Sequence, residues 1–419
     1  MRIVYLNPCG QMGGAETSLR ELLISVRTAK PDWQLWLILG EDGPLARIAS
    51  DLGVRVEVLP FPSSLARLGD AGTGAAAGVA SLLMAGAASA RYGRRLARVL
   101  RRIEPDIIHT NGFKMHVLGC WSRPRTTSLV WHIHDYVGAR RVMSQLLRWH
   151  AERCTVAIAN SNDVARDLRS LMPKLRVHPV YNAVDLTRYA PEGDRIDLDK
   201  ACEMEPAPDG LVRVGLVGTF ARWKGHKVFL DALAQLPREL PVRGYVIGGP
   251  IYKTSGSQWM LHELRDEAAR LGLTGRLGFT GLLSDTAAAM RSLDIVVHAS
   301  TKPEPFGMVI AEGMACGKAV IASQAGGAAE LFSDGHDAVG HPPGDAAALA
   351  RQIGCLASDH ALRGHLGAAG RQTAERLFHR ERLTSGLLEV YREARGKAGP
   401  AEESAEARLE RVAEGCRIE

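Results

Sequence analysis

Short apolar runs alternate with apolar positions at helical spacing from the start of the chain. Ile3–Leu6 is such a run, the turn Gly10-Gln-Met-Gly-Gly14 follows, and Leu19, Leu22, Leu23 and Val26 then mark one helix face. Leu35–Leu39 and Val54–Leu59 read as further strands. Leu96, Val99, Leu100 and Ile103 mark a helix that ends at Pro105. Ile107–His109, Leu129–Ile133 and Val156–Ala159 continue the strands. Alternating strands and helices joined by short turns predict a doubly wound parallel sheet over residues 1–190. Residues 191–210 are polar, contain three prolines and read as a linker. The pattern restarts at Leu211 with Val212–Val217, Val242–Ile247, Arg276–Phe279, Ile295–His298 and Ala319–Ala322, predicting a second domain over 211–375. A helix over 376–397 is expected to pack back on the first domain. The tail 398–419, with six Glu and three Arg, reads as a frayed helix or disorder. The expected fold is thus α/β, with two Rossmann-like doubly wound sheets facing a cleft, where open parallel sheets bind ligands at the carboxyl ends of their strands.

Composition narrows the class. With 46% hydrophobic and 23% charged residues the chain reads as an ordinary globular protein. The longest apolar stretch, Val79–Ala90, is too short and too rich in Ala, Gly and Ser to span a bilayer. The seven cysteines form no C-x-x-C pair, which argues against a zinc site or a disulfide framework. This cysteine usage fits a reducing cytoplasm, so a protein either free there or peripheral on the inner face of the cell membrane is expected. Charge is uneven: residues 1–190 hold 25 Lys+Arg against 15 Asp+Glu, and the remainder 27 against 31. Six arginines fall within Arg91–Arg102. They are either solubilising charge or a face for an anionic membrane or a lipid-phosphate acceptor. A nucleic-acid partner is not expected.

The chemistry concentrates in Ser300-Thr-Lys-Pro-Glu-Pro-Phe-Gly-Met-Val-Ile-Ala-Glu312. Pro303 and Pro305 preclude a helix around Glu304, and one is expected to begin near Gly307. The amides of Met308, Val309 and Ile310 would then attract phosphate oxygens. Lys224 lies in a glycine-bounded turn after Val217, placed to neutralise a departing diphosphate. His134 closes the strand Ser128–Ile133, with His132 on the same face. Gly13 and Gly14 bring backbone close at the first turn, but Gly10-x-x-Gly-Gly is not the G-x-G-x-x-G dinucleotide fingerprint. Asp197-Leu-Asp199 mimics a metal-binding D-x-D but reads as solvated charge in the linker.

Glu304-Pro-Phe-Gly followed by Glu312 resembles the signature of glycosyltransferase family 4 and related retaining enzymes of the GT-B fold. Gly13-Gly14-Ala15-Glu16, Ile133-His134-Asp135, Tyr181-Asn182-Ala183-Val184-Asp185 and Ala325-Gly-Gly-Ala-Ala-Glu330 extend the resemblance over most of the chain. It implies transfer of a sugar, with retention, from a UDP- or GDP-sugar to a sugar, lipid-linked or polysaccharide acceptor, with no metal or other cofactor. His134 and Glu304 would be catalytic. Gly14, Thr219, Arg222, Lys224, Phe306, Gly307, Met308, Val309 and Glu312 would hold the donor. Gly13 and Glu16 would face the acceptor. The family places an Arg where this chain has Thr219; Arg222 either replaces it or is a solvated loop cation. Retention is ascribed in the family to attack on the leaving group's own face. Rival readings are a nicotinamide oxidoreductase, which lacks its fingerprint, a GT-B sugar-nucleotide epimerase or a phosphorylase-type enzyme, and a GT-B protein that binds without turnover.

Overall fold

A computed structural model describes residues 1–62, 79–250 and 257–396, and only the backbone of 79–85. The expected tail 398–419 and the last residue of the helix expected over 376–397 lie outside the described residues. Seven strands build the first sheet: β1 (Arg2–Asn7), β2 (Gln34–Leu39), β3 (Arg55–Val58), β4 (Ile107–Asn111), β5 (Ser128–Ile133), β6 (Val156–Ala159) and β7 (Val177–Pro179). They lie side by side in the order β3-β2-β1-β4-β5-β6-β7, and every pairing is parallel. The helices α1 (Gly14–Ala29), α2 (Pro44–Asp51), α3 (Val79–Ile103), α4 (Phe113–Ser122), α5 (Arg141–His150) and α6 (Asn162–Leu171) connect these strands. Because helices cover both faces, the strands are buried on both sides: β1 and β6 read as nearly unbroken apolar runs, and even the polar His109, Thr110 and Asn111 of β4 are buried.

The second sheet repeats the scheme. Its strands β8 (Val212–Val217), β9 (Val242–Ile247), β10 (Leu277–Gly281), β11 (Ile295–His298), β12 (Ala319–Ser323) and β13 (Val339–His341) run in the order β10-β9-β8-β11-β12-β13, again all parallel. Around it lie the helical turn α7 (Leu198–Ala201), then α8 (His226–Ala234), α9 (Leu261–Arg270), α10 (Thr286–Arg291), α11 (Met308–Ala315), α12 (Ala346–Ser358) and α13 (His360–Leu377). Each sheet carries one apolar core cluster per face.

The chain crosses between domains twice, at one place. Ala183 belongs to the first domain's core and Val184 to the second's, and the Val184 amide donates to the Phe378 carbonyl. Just beyond Phe378, α14 (Arg380–Ala394) packs Leu383, Leu387, Val390 and Tyr391 into the first domain's core. The stretch expected as a polar linker is fastened to the second domain, with Leu198 and Asp199 buried. Asp199 corrects the sequence reading. Arg243 and Tyr245, both on β9, each bond Oδ1 at 2.6 Å, so this aspartate is a buried anchor and not solvated charge. Asp197 does stay exposed, capping α7 through the Lys200 amide.

Candidate active site

The carboxyl ends of the two sheets meet, and the polar side chains expected there are built differently on each side. On the second domain, β11 ends at His298 and the chain turns through Ser300 to Glu304. The Ser323 amide donates to His298 Nδ1, which leaves the Nε2 proton to donate to Glu304 Oε2 at 2.7 Å. Ser300 Oγ also donates to Oε2. The other oxygen, Oε1, takes an ion pair from Lys224. Burial alone would push the Glu304 carboxyl up, but Lys224 and His298 hold it well below the usual carboxylate range. Glu304 is therefore an anion fixed from three directions.

Lys224 reaches this place because its turn is pressed against β11. Gly225 has φ +78°, and a Cβ there would lie 1.8 Å from the Ala299 carbonyl, so only glycine fits. The Thr301 amide donates to the Trp223 carbonyl and ties the same turn down. Gly307, at φ +99°, swings the chain from the extended Pro303–Pro305 segment into α11. The Ile310 amide turns back to the Gly307 carbonyl, leaving those of Met308 and Val309 in the first turn, where a helix has no carbonyls of its own to bond. Glu312 is buried one turn further in. Desolvation raises its carboxyl to about 7, with a partial offset from the Tyr189 hydroxyl.

Two residues expected to hold the donor have their side chains engaged elsewhere. The Phe306 side chain is 3% exposed and packs edge-on against Tyr181 and Phe378, so it serves the core and leaves only backbone for a ligand. Arg222 is not brought to the Lys224–Glu304 pair. Its guanidinium lies 3.8 Å from the Trp259 ring centroid and pairs with Glu263 at 3.2 Å. Thr219 is half-buried in the turn after β8.

On the first domain, three side chains at the ends of β1, β4 and β5 and one from the first turn of α1 form one file. His134 Nε2 meets Asn111 Oδ1, Asn111 Nδ2 donates to Asn7 Oδ1 at 2.8 Å, and Asn7 Nδ2 donates to Glu16 Oε1 at 3.2 Å. The carboxylate can only accept, so it sets the direction of every bond before it. His134 must donate from Nε2, and its Nδ1 is an acceptor. Desolvation lowers its pKa to about 4, so the ring is neutral. His132 is buried behind it and bonded to His109, so His134 is the histidine at the edge. Glu16 thus ends the file. Gly13 precedes α1 in extended backbone, where a Cβ would lie 2.9 Å from Glu16 Oε2. Gly14, the first residue of α1, is exposed.

The two sides are clasped together. Tyr136, two residues past His134, donates to Asp163 at 2.6 Å and accepts from the Gly327 amide of the second domain, with the Glu304 carbonyl 3.3 Å away. Glu330 of the second domain reaches back to the N-terminus of α6. It accepts the Asn162 and Asp163 amides at 2.9 and 2.6 Å, and the Tyr181 hydroxyl at 2.9 Å. Helix amides and dipole both favour an anion there. Reading the sequence missed His298, Ser300, Asn7, Asn111 and Tyr136. A polar residue at the carboxyl end of a predicted strand was the available signal, and it was applied to His134 alone.

Residues 12–188 match the family described as Glycosyltransferase Family 4, and residues 203–373 match Glycosyl transferases group 1. The lipopolysaccharide core biosynthesis glycosyltransferase LpsE of Rhizobium meliloti is 27% identical over 302 residues, 71% of this chain and 78% of that protein. A D-inositol 3-phosphate glycosyltransferase of Salinispora arenicola is 34% identical over 259 residues, 58% of this chain and 56% of that relative. The chain spans little more than half of this second relative's length. The crystal structure of Anabaena HepE in complex with UDP superposes with a TM-score of 0.76 at 26% identity, covering 93% of this chain and 99% of that one.

Proposed function

We propose, from the premise that this chain belongs to glycosyltransferase family 4 and has its two-domain GT-B fold, that it moves a sugar with retention from a UDP-sugar to an acceptor hydroxyl. The observation that carries this reading is the anion–cation pair Lys224–Glu304, set between the end of β11 and the first turn of α11. A diphosphate lying over the amides of Met308 and Val309 would meet Lys224 as its counter-charge, and Glu304 would be left facing the sugar. Glu312, once ionised, accepts the ribose hydroxyls.

In the reaction the bond from the sugar's anomeric carbon to the phosphate oxygen breaks, its electron pair passing to the phosphate. The acceptor oxygen attacks that carbon from the same face, and its proton passes to the departing phosphate. Lys224 stabilises the charge that builds on the phosphate, so the chain supplies the cation and no metal is required. His134 Nδ1 accepts from a sugar hydroxyl and fixes the ring's orientation. The choice of uracil rests on the HepE complex with UDP. Assembly of a surface polysaccharide or lipopolysaccharide core is favoured by the Rhizobium relative.

Thermal unfolding with UDP, GDP, ADP and no nucleotide, in EDTA, tests this directly. UDP raises the melting temperature most, by mass action on the native state. A larger shift with GDP or ADP replaces the donor, and a shift that appears only with Mg²⁺ or Mn²⁺ overturns the metal-free site.

A further inference from the structure

Three helices on one outer face of the first domain carry an unusual surface. Together α3, α4 and α5 hold nine Lys and Arg and no Asp or Glu. Arg91, Arg94, Arg95 and Arg98 are exposed and make no ion pair with another described residue. On the same helices lie three large apolar side chains left in the open: Trp121 at 45%, Val142 at 78% and Trp149 at 77% exposure. Val142 and Trp149 are seven residues apart on α5, hence on one side of it, flanked by Arg141 and Arg148.

The three helices are physically joined at this spot. Ser122 Oγ donates to the Gly93 carbonyl of α3 at 3.0 Å, and Trp121 Nε1 donates to His150 Nε2 of α5 at 2.9 Å. Trp121 thus lies against the residue that follows Trp149, and Ser122 against the residue that precedes Arg94. The inward positions are filled, with Leu96, Leu100 and Leu147 fully buried, so the exposed set is surplus to the fold.

We propose that this face docks on an anionic phospholipid bilayer. Trp121, Val142 and Trp149 enter the interfacial layer, while Arg94, Arg98 and Arg148 meet the headgroup phosphates. Arg102, at the end of α3, pairs with Glu57, but the exposed Arg91, Arg94, Arg95 and Arg98 have no acidic partner among the described residues, which fits an anionic surface. Two exposed tryptophans distinguish a bilayer from a nucleic-acid backbone or an acidic protein, because indole rings favour the membrane interface. No helix among the described residues is long and apolar enough to cross a membrane, so the protein lies on the surface. The proposal goes beyond the transfer reaction and stands whichever sugar is moved.

Co-sedimentation of the full chain with vesicles of phosphatidylcholine, with and without phosphatidylglycerol, tests it. The protein binds only the anionic vesicles and is released by salt, as screening over a Debye length of roughly 10 Å or less requires. Arg94→Glu/Arg98→Glu/Arg148→Glu loses about a hundredfold in partitioning. Trp149→Ala, with or without Val142→Ser, loses about tenfold with an unchanged melting temperature, since both side chains are exposed. UDP affinity is the same in all of them. The proposal is overturned by equal binding to both vesicle types, by no binding to either, or by binding that survives the arginine reversals. It is equally overturned if the face serves instead for self-association abolished by Trp149→Ala, or for salt-sensitive DNA binding.

Discussion

On the first domain's side of the seam, His134, Asn111 and Asn7 pass hydrogen bonds one way down to Glu16, and the group at the edge is an uncharged ring. On the second domain's side, Lys224, Glu304, His298 and Ser300 gather an ion pair into a cluster of hydrogen bonds around the buried Glu304 carboxylate. The contrast follows from what each side would handle. A leaving diphosphate gains negative charge during the reaction, and only a fixed cation answers that. Sugar hydroxyls stay neutral, and a neutral acceptor of fixed direction places them without a charge to desolvate. Tyr136 and Glu330 belong to neither scheme; they bond one domain to the other.

The contrast breaks most severely at Lys224 and Glu304. Lys224→Ala and Glu304→Gln each lower kcat/KM by roughly 10²–10³. Their stabilities differ. Removing Lys224 strands a buried carboxylate and costs about 3 kcal/mol, although His298 and Ser300 remain. Lys224→Ala/Glu304→Gln recovers part of that loss, because the stranded charge is gone. Thermal unfolding of the two single variants and the double variant checks this, and strictly additive losses would mean the pair is not coupled.

The neutral side should break more gently. Asn111→Ala frees His134 to rotate or change tautomer while leaving its ring in place. It is expected to lower kcat roughly tenfold to a hundredfold, with the UDP dissociation constant unchanged. His134→Ala matches it, and the double variant is no worse than either, since both act through one ring. A weakened UDP affinity in Asn111→Ala would show that the file also serves the donor.

How far these two sides could be read from the chain depends on what kind of force builds each piece. The apolar runs of β1, β6 and β8 were legible because a sheet covered on both faces demands them. β7 and β13 went unread. Each has three residues at a sheet edge, and Pro179 and His341 interrupt the apolar signal. Gly307 and the prolines before it announced α11. Glu304 and Lys224 were each visible in a local motif, but their pairing spans 80 positions and exists only once β8 lies beside β11. Asp199 was misread for the same reason, as its partners Arg243 and Tyr245 sit on a strand more than forty residues away. The file from His134 to Glu16 draws on three strands and one helix, so no single window contained it.

Glu312 sharpens the contrast through pH. Its pKa in the fold, about 7, lies above the ordinary 4.5, so the native state holds this proton more tightly than the unfolded chain. Stability therefore falls as pH rises across that interval, and above it Glu312→Gln is more stable, on the order of 2 kcal/mol. Donor binding runs the other way. Ribose hydroxyls donate to the ionised form, so the donor KM rises several-fold as pH falls through about 7, and UDP binding releases a proton near that pH. A flat KM profile, or the same profile in Glu312→Gln, would remove Glu312 from the donor contacts.

The smallest effect is expected at Arg222, where it settles whether the charged side has one cation or two. A second cation would share the diphosphate's charge, and losing it would cost about tenfold or more. The guanidinium is instead held over Trp259 and against Glu263, with 41% of its side chain exposed. Contacts of this kind in solvent contribute about 0.5–1 kcal/mol each, and leaving them for the diphosphate would cost as much. Arg222→Ala should then lower the melting temperature slightly and leave kcat/KM within about twofold. Trp259→Ala adds a second arm. It removes the ring that holds the guanidinium without touching Lys224, so a bystander Arg222 leaves transfer unchanged there too. A tenfold loss in Arg222→Ala with a normal melting temperature, or faster transfer in Trp259→Ala, would mean that Arg222 swings to the diphosphate and takes the place of the family arginine at Thr219.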